Sequence, residues 1–198
     1  MKILAAGDLH GDSRLAQKLA KRAADENVDL VILCGDITND DNNVDGLLGP
    51  FASKGKKVFI IPGNHDSHAV TDFLAERYGA RNVHGTAVQY GDIAFVGCGG
   101  APFGLSVMSE DDLYSTLNKA FYEVKGATKT VMISHMHPLG SDIDVFGFPG
   151  SAGVRAAIDK FKPTIALCGH IHEAEGLEMK VGKTKLMNVS KNGKIFDI

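Results

Sequence analysis

Eight short runs of apolar residues, rich in β-branched side chains, recur along the chain. They are KILAAG, LVILCG, KVFIIPG, IAFVGCGG, TVMIS, TIALCG, KLMNV and KIFDI. Their length, and the glycine or polar residues that bound them, predict β-strands. Within each run the apolar residues are nearly continuous rather than alternating with polar ones, which predicts strands that are covered on both faces.

The segments between the early strands predict helices. Apolar residues recur at helical spacing from Ser13 to Asn27, and Asp12 or Ser13 would cap that helix. Further helices are predicted at residues 68–78, 109–125 and 151–161, with a weaker one at 42–53 that glycine and proline interrupt. Because strand and helix alternate, the predicted fold class is α/β with parallel strands, and helices would lie outside two packed sheets. The closing strands, separated by the pairs GK and NG, favour hairpins instead.

Length and composition exclude several classes of protein. A chain of 198 residues predicts a single domain over residues 1–198. The net charge of −3 is spread along the chain, so no stable nucleic-acid partner is expected, although a small nucleotide is compatible with it. No membrane partner is expected either, because no apolar run approaches the roughly 20 residues of a membrane span. The three cysteines lie far apart without motif spacing, which predicts buried reduced thiols and a cytoplasmic protein.

Polar side chains of a similar chemical kind follow five of the predicted strands. They are Asp8 with His10, Asp36, Asn64 to Asp66, His135, and His170 with His172. In open α/β sheets, ligands bind outside the carboxyl ends of the strands. Any one of these residues could be a capping aspartate or a loop histidine, but five of the eight histidines lie at such junctions. The sequence therefore predicts one site built from five strand ends.

The types and the spacing of these residues predict a metal centre. In an extended segment, residues i and i+2 point the same way, so Asp8 with His10, and His170 with His172, are pairs that can converge. Carboxylate, amide oxygen and imidazole ligands without a thiolate suit borderline divalent ions such as Mn, Fe, Zn or Co. The candidate ligands are too many for one four-coordinate ion, so two divalent metal ions are expected.

The order of these motifs carries a resemblance to a known family. The pattern D-x-H, G-D, G-N-H-D, a lone His and G-H-x-H, running from Asp8 to His172, resembles the calcineurin-like metallophosphoesterase superfamily. The resemblance implies a four-layer α/β-β/α sandwich with a dinuclear metal site at the carboxyl ends of the strands. It also implies a hydrolase of phosphate esters that works by attack of a metal-bridging hydroxide. The short chain and the GNHD spelling look most like the small prokaryotic phosphodiesterase-type members.

Carried over by position, the resemblance gives each motif residue a role. One metal would be held by Asp8, His10, Asp36 and His172, and the other by Asp36, Asn64, His135 and His170, with Asp36 bridging. His65 resembles the catalytic residue, which would donate a proton to the leaving oxygen or hydrogen-bond a phosphoryl oxygen. Asp66 either shapes the turn or starts the next helix.

Two departures from the family pattern bear on the mechanism. Where members often have an aspartate three residues after the bridging one, this chain has Asn39, and either Asn39 or Asp40 would orient His65. The arginines that phosphoprotein phosphatases place beside these motifs are absent, which argues against a protein phosphatase and favours phosphodiesters over monoesters. The expected partner is a small phosphate-ester substrate, and a homodimer is left open.

Several residues near the motifs have two interpretations. His137 and His68 either line the pocket or are exposed loop histidines. The loop 141–150, with Phe146 and Phe148, either forms an aromatic wall that stacks on a base or covers the core or an interface. The segment that begins with Phe103 has the same two interpretations, an aromatic wall of the pocket or a cover for the core or an interface.

Two functions other than catalysis compete with the phosphoesterase. One is a non-catalytic scaffold of the same fold, a class that the resemblance associates with loss of the catalytic histidine. The other is a sensor that binds metal without useful hydrolysis. Because His65 and all seven candidate ligands are present, the sequence favours an enzyme acting on phosphodiesters or nucleotides.

Overall fold

Two β-sheets pack face to face in the computed structural model, which describes residues 1–198. The strands are β1 (Lys2–Ala6), β2 (Leu30–Cys34), β3 (Lys57–Ile61), β4 (Arg81–Asn82), β5 (Ala87–Tyr90), β6 (Ile93–Cys98), β7 (Lys129–Ser134), β8 (Ile165–Cys168), β9 (Glu178–Val181), β10 (Thr184–Asn188) and β11 (Lys194–Asp197). The helices are α1 (Ser13–Asp25), α2 (Gly49–Ala52), α3 (His68–Tyr78), α4 (Glu110–Tyr122) and α5 (Ala152–Phe161). Short 3₁₀ helices lie at Asp142–Phe146 and His172–Ala174.

The strand order places the ends of the central strands together. The first sheet has the order β11-β1-β2-β3-β4 and the second has the order β5-β6-β7-β8-β10-β9. Strands β1 to β4 are parallel, and so are β6, β7, β8 and β10. Strands β11, β5 and β9 pair antiparallel at the edges. Parallel strands present their carboxyl ends at one edge of a sheet, which is where α/β proteins bind ligands.

The strands separate three hydrophobic cores, because side chains alternate between the faces of a strand. Ile3 and Ala5 of β1 lie in the core between the two sheets, whereas Leu4 and Ala6 pack in the core that α1, α2 and α3 cover. A third core lies between the second sheet and helices α4 and α5. The layers are therefore helix, sheet, sheet and helix, and the predicted four-layer α/β sandwich is confirmed.

Three features of the fold differ from the sequence prediction. The helix predicted at 42–53 shortens to α2, because Gly46 has a φ of 73° and Pro50 fits only the first turn of a helix. Strands β4, β5 and β9 carried no clear signal, since each buries at most one side chain. The GK pair does join β9 to β10 in a hairpin, but the NG pair does not form one. Strand β11 instead crosses to the first sheet and places Phe196 opposite Ile3 of β1.

Candidate active site

The residues predicted at the five strand ends converge on one region. Three groups place one ligand atom per residue within 4.8 Å of the others: a first group of Asp8, His10 and His172, a second of Asp36, His135 and His170, and a third of His10, Asp36 and His65 that overlaps both. Asn64 joins the second group, since its Oδ1 lies 2.9 Å from the Nε2 of His135. The structure thus brings together all seven residues for which the sequence predicted a ligand role.

Four of the seven residues have positive φ angles, a backbone conformation that favours glycine. The φ angle is 54° at Asp8, 46° at His10, 49° at Asp36 and 69° at His170. Such residues cost about 1–3 kcal/mol each and cluster at functional sites. The residues therefore converge through left-handed turns. The prediction that Asp8 with His10, and His170 with His172, converge because they lie in extended segments is wrong.

The separations between the ligand atoms fit divalent cations. Two ligands bound about 2.1 Å from one ion at octahedral or tetrahedral angles lie about 3.0–3.4 Å apart. The Nε2 atoms of His10 and His172 are 3.2 Å apart, and three carboxylate–imidazole separations are 3.5–3.6 Å. Two imidazole nitrogens in contact need a proton or a shared cation between them. The donor set, with carboxylate, amide and imidazole but no thiolate, matches Mn, Fe, Zn or Co.

Asp36 lies between the two groups. Its Oδ2 is 3.6 Å from the Nε2 of His10 in one group and 3.5 Å from the Nε2 of His135 in the other. Its Oδ1 accepts a hydrogen bond of 2.8 Å from the backbone N–H of His65. Gly63 packs directly on this carboxylate, where a Cβ would overlap it. One carboxylate facing both groups is the arrangement that a bridging ligand requires.

Electrostatics within the site are strongly coupled. His135 is fully buried, and its Nδ1 donates to the carbonyl of Cys34 at 2.9 Å, which leaves Nε2 facing the ligand atoms. Burial acts to lower the pKa of His135, but the carboxylates of Asp36 and Asp8 outweigh it and raise the pKa. For Asp8, burial acts to raise the pKa, and the contact with His172 helps to lower it overall.

His170 is the clearest neutral donor of the set. Burial, with the neighbouring ring of His135, lowers the pKa of His170 to about 4. Its backbone N–H donates to the Oδ1 of Asp8 at 3.1 Å, so the GHIH turn is tied to the loop that follows β1. A neutral imidazole is the form that binds a metal ion.

His65 stands beside the first group, with its ring held by Asp40. The Nδ1 of His65 is 2.7 Å from the Oδ1 of Asp40, and the ring centroids of His65 and His10 are 4.9 Å apart. Asn39 makes no hydrogen bond to His65; its backbone pairs with Asn42 in a tight turn instead. Of the two residues that the sequence left open for orienting His65, Asp40 therefore makes the contact and Asn39 does not. The turn in which Asp40 has a φ of 52° carries its side chain to the ring.

Asp66 shapes the turn that presents Asn64 and His65. Its buried carboxylate accepts hydrogen bonds from the backbone N–H groups of Ile37, Thr38 and Gly63 at 3.0, 2.7 and 2.9 Å. Burial raises the pKa of Asp66 while these hydrogen bonds oppose the increase. The carboxylate joins the loop after β2 to the loop after β3. Of the two roles predicted for Asp66, shaping the turn is confirmed, and Ser67 caps α3 instead.

His137 is buried and does not line the cavity beside the ligands. Its Nε2 is 3.0 Å from the Oδ1 of Asp144. The same carboxylate accepts hydrogen bonds from the backbone N–H groups of Gly140 and Gly150 at 2.7 and 2.9 Å. The prediction that His137 is a pocket or exposed loop residue is wrong, because the loop 141–150 folds over it and buries its ring.

Some residues that support the ligands were missed in the sequence. Asn188, at the end of β10, donates to the carbonyl of Ile171 at 3.0 Å and so holds the GHIH turn. The backbone N–H of Leu105 donates to the carbonyl of Asn64 at 2.8 Å. Asn188 carried a usable signal, since it is a polar residue that ends an apolar run. Leu105 acts through its backbone and carried none.

A cavity of about 260 Å³ opens beside the ligands. It is lined by Asn64, His65, Phe103, Phe148, His170, Ile171, His172 and Glu173. No lysine or arginine lines it. A larger depression of about 530 Å³ beside α1 and α2 holds no comparable group of ligating side chains. The chemistry of the molecule is therefore concentrated at the smaller cavity.

Comparison with known proteins gives one family. A family model described as calcineurin-like phosphoesterase matches residues 1–174. The curated proteins give no match. No helix of the structure is both long enough and apolar enough to cross a membrane.

Solved structures share this fold at low sequence identity. The protein TT1561 of Thermus thermophilus is 19% identical with a TM-score of 0.77, over 96% of this chain and 89% of that chain. A novel archaeal phosphodiesterase is 17% identical with a TM-score of 0.57, over 96% and 84%. A dimetal phosphatase from Danio rerio is 12% identical with a TM-score of 0.67, over 97% and 88%. Identities this low show a common fold alone.

Proposed function

Since the chain belongs to the calcineurin-like phosphoesterase family, we propose that it hydrolyses phosphate esters as a dinuclear-metal enzyme, with phosphodiesters or nucleotides as substrates. The observation that carries the proposal is the convergence of seven candidate nitrogen and oxygen ligands, with Asp36 facing both groups, next to a histidine whose ring contacts Asp40. A scaffold needs neither a bridging carboxylate nor an oriented imidazole at its surface.

In this proposal two divalent ions, Mn, Fe, Zn or Co, share the site. Asp8, His10, Asp36 and His172 would hold one ion, and Asp36, Asn64, His135 and His170 would hold the other. When bound, such ions attract the phosphate and lower the pKa of water toward neutrality so that it can attack phosphorus. Asp8 and Asp36 offset only part of the cationic charge, so the centre stays attractive to an anion.

His65 is the proposed proton donor. Asp40 engages its Nδ1, so Nε2 is the nitrogen available to the cavity that His65 lines. An imidazole in that position donates a proton to the oxygen of the leaving group. The His65 side chain is 36% exposed, which lets it recover a proton from solvent. Asp40 keeps the ring in one orientation, as the third member of such a relay does.

The lining of the cavity favours phosphodiesters over monoesters. A monoester carries close to two negative charges near neutral pH and a diester carries one. No arginine or lysine lines the cavity to clamp a second charge, and Glu173 adds a carboxylate there. The dianion is therefore the less favoured of the two substrates.

The experiment that tests this function is a metal titration. Chelator-treated protein is titrated with Mn²⁺ while turnover of an aryl phosphodiester is followed, and turnover should rise to a plateau at about two ions per chain. Asp36→Asn should abolish the plateau. Asp29→Asn is the matched control, because Asp29 is an exposed carboxylate that accepts a backbone hydrogen bond from Lys2 at 2.8 Å. Full turnover in excess chelator, or none with any of the four metals on mono- or diesters, contradicts the proposal.

The proposed location is the cytoplasm. All three cysteines, Cys34, Cys98 and Cys168, are buried and unpaired. Burial raises the pKa of each of these thiols, which keeps them protonated and unreactive. Free thiols of this kind are typical of a reducing compartment.

A further inference from the structure

Two exposed phenylalanines flank the proposed active site on separate loops. Phe103 is 48% exposed and Phe148 is 57% exposed, yet both line the cavity that also contains His65. The ring centroid of Phe103 lies 5.6 Å from that of His170. Aromatic rings left open at a ligand cavity are the groups that contact apolar or planar parts of a ligand.

The loop that carries Phe103 is built onto the residues of the site. The hydroxyl of Ser106 donates to the carbonyl of Asp66 at 2.7 Å, and the backbone N–H of Leu105 donates to the carbonyl of Asn64. Gly104 has a φ of 91°, and a Cβ there would overlap the carbonyl oxygen of Asn64. Only glycine permits this close approach. Phe103 is therefore held at a fixed position beside the ligands.

Phe148 is carried by a second loop, residues 141–150. The Asp144 carboxylate accepts hydrogen bonds near both ends of this loop, from Gly140 and Gly150. Phe146, on the same loop, is 41% exposed but does not line the cavity. The two aromatic residues at the cavity thus come from two independently anchored loops, and Phe146 offers a control within one of them.

We propose that Phe103 and Phe148 form an aromatic subsite that binds a planar ring, such as a nucleobase, of a phosphodiester substrate. The inference rests on the proposed function, whose substrate class it names. The cavity of about 260 Å³ is smaller than the roughly 300–1,000 Å³ of pockets for drug-sized ligands. It therefore suits one ring with one phosphate. No lysine or arginine lines the cavity to bind further phosphate groups.

The test uses two diesters that release the same p-nitrophenol. One is p-nitrophenyl thymidine 5′-phosphate, which carries a base, and the other is p-nitrophenyl methyl phosphate, which carries none. Wild type should favour the nucleoside diester in kcat/KM. Loss of a base–aromatic stack lowers binding roughly 5–150-fold, so Phe103→Ala and Phe148→Ala should each lower the preference about tenfold. Phe146→Ala should leave it unchanged, and Phe103→Tyr, which keeps a ring, should retain it.

The outcomes separate this inference from the proposed function. Equal turnover of the two diesters by wild type refutes the aromatic subsite while the phosphoesterase stands. The aromatic subsite is also refuted if Phe103→Ala and Phe148→Ala lose kcat/KM equally on both diesters. Metal content is measured in each variant. Absence of turnover with every diester and monoester refutes the proposed function, and the inference falls with it.

Discussion

Removal of the Asp66 carboxylate should destabilise the fold far more than removal of an exposed carboxylate. Asp66 is 1% exposed and accepts hydrogen bonds from the backbone N–H groups of Ile37, Thr38 and Gly63, and the Thr38 hydroxyl lies 2.7 Å away. Asp66→Ala leaves the three backbone N–H groups buried without an acceptor, whereas the Thr38 hydroxyl can still donate to the carbonyl of His65 at 3.1 Å. Each buried donor without an acceptor costs about 1–3 kcal/mol, so after partial relaxation the free energy of unfolding should fall by roughly 4–6 kcal/mol. That is a large share of the about 5–15 kcal/mol that stabilises a typical domain.

The assay is urea unfolding in the presence of a chelator, since bound metal would stabilise the native state by mass action. Asp29→Ala is the control, because Asp29 also accepts a backbone hydrogen bond but is exposed, and its effect should stay within about 1 kcal/mol. Asp66→Asn keeps the shape of the side chain and one acceptor oxygen, so its free energy of unfolding should fall by roughly 2–3 kcal/mol. If the free energy of unfolding of Asp66→Ala lies within about 1 kcal/mol of that of wild type, the carboxylate does not hold the two loops together.

Three further predictions concern the site. Asp36→Asn should weaken metal binding at both sites, whereas Asp8→Asn should weaken it chiefly at one. Metal analysis that shows two tightly bound ions in Asp36→Asn would contradict the bridging position. Asp40→Ala should lower turnover, by less than the roughly 10²–10⁴-fold loss expected when the proton donor itself is removed. Asn39→Ala should leave turnover unchanged. An equal loss of turnover in Asp40→Ala and Asn39→Ala would show that the contact of Asp40 with His65 is not the cause. Glu173→Gln should raise kcat/KM of monoesters relative to diesters by roughly fivefold, from about 1 kcal/mol of charge repulsion, and an unchanged ratio in matched aryl substrates would count against the charge model.

The site could be predicted because its side chains directly follow buried strands. Asp36 comes two residues after β2, and Asn64 three residues after β3, so the apolar run and its polar end are read together in the sequence. Parallel pairing of those strands then brings their ends to one edge. Local pattern and topology agree at these positions, which is why the residues predicted there converge.

Contacts that depend on loop paths could not be predicted in the same way. Asp40 rather than Asn39 reaches His65 because the chain makes left-handed turns at Asp40 and Asp41. Aspartate and asparagine are among the side chains that most often adopt a positive φ, but they occupy every position from 39 to 43, so the residue types do not show where the chain turns. His137 was expected in the pocket or in solvent, but its burial depends on how the loop 141–150 folds back. Strand β4, with two polar residues, exists only because it pairs with β3.

Whether His65 donates a proton at a dinuclear metal centre can be decided by one series of measurements. Turnover of aryl phosphodiesters of graded leaving-group pKa is measured in wild type and in His65→Ala, with the metal content of both proteins. We expect unchanged metal content and a loss of turnover of roughly 10²–10⁴-fold for poor leaving groups, which shrinks as the leaving group becomes more acidic. Equal dependence on leaving-group pKa in the two proteins would contradict the proton-donor role, and loss of metal from His65→Ala would make His65 a ligand instead.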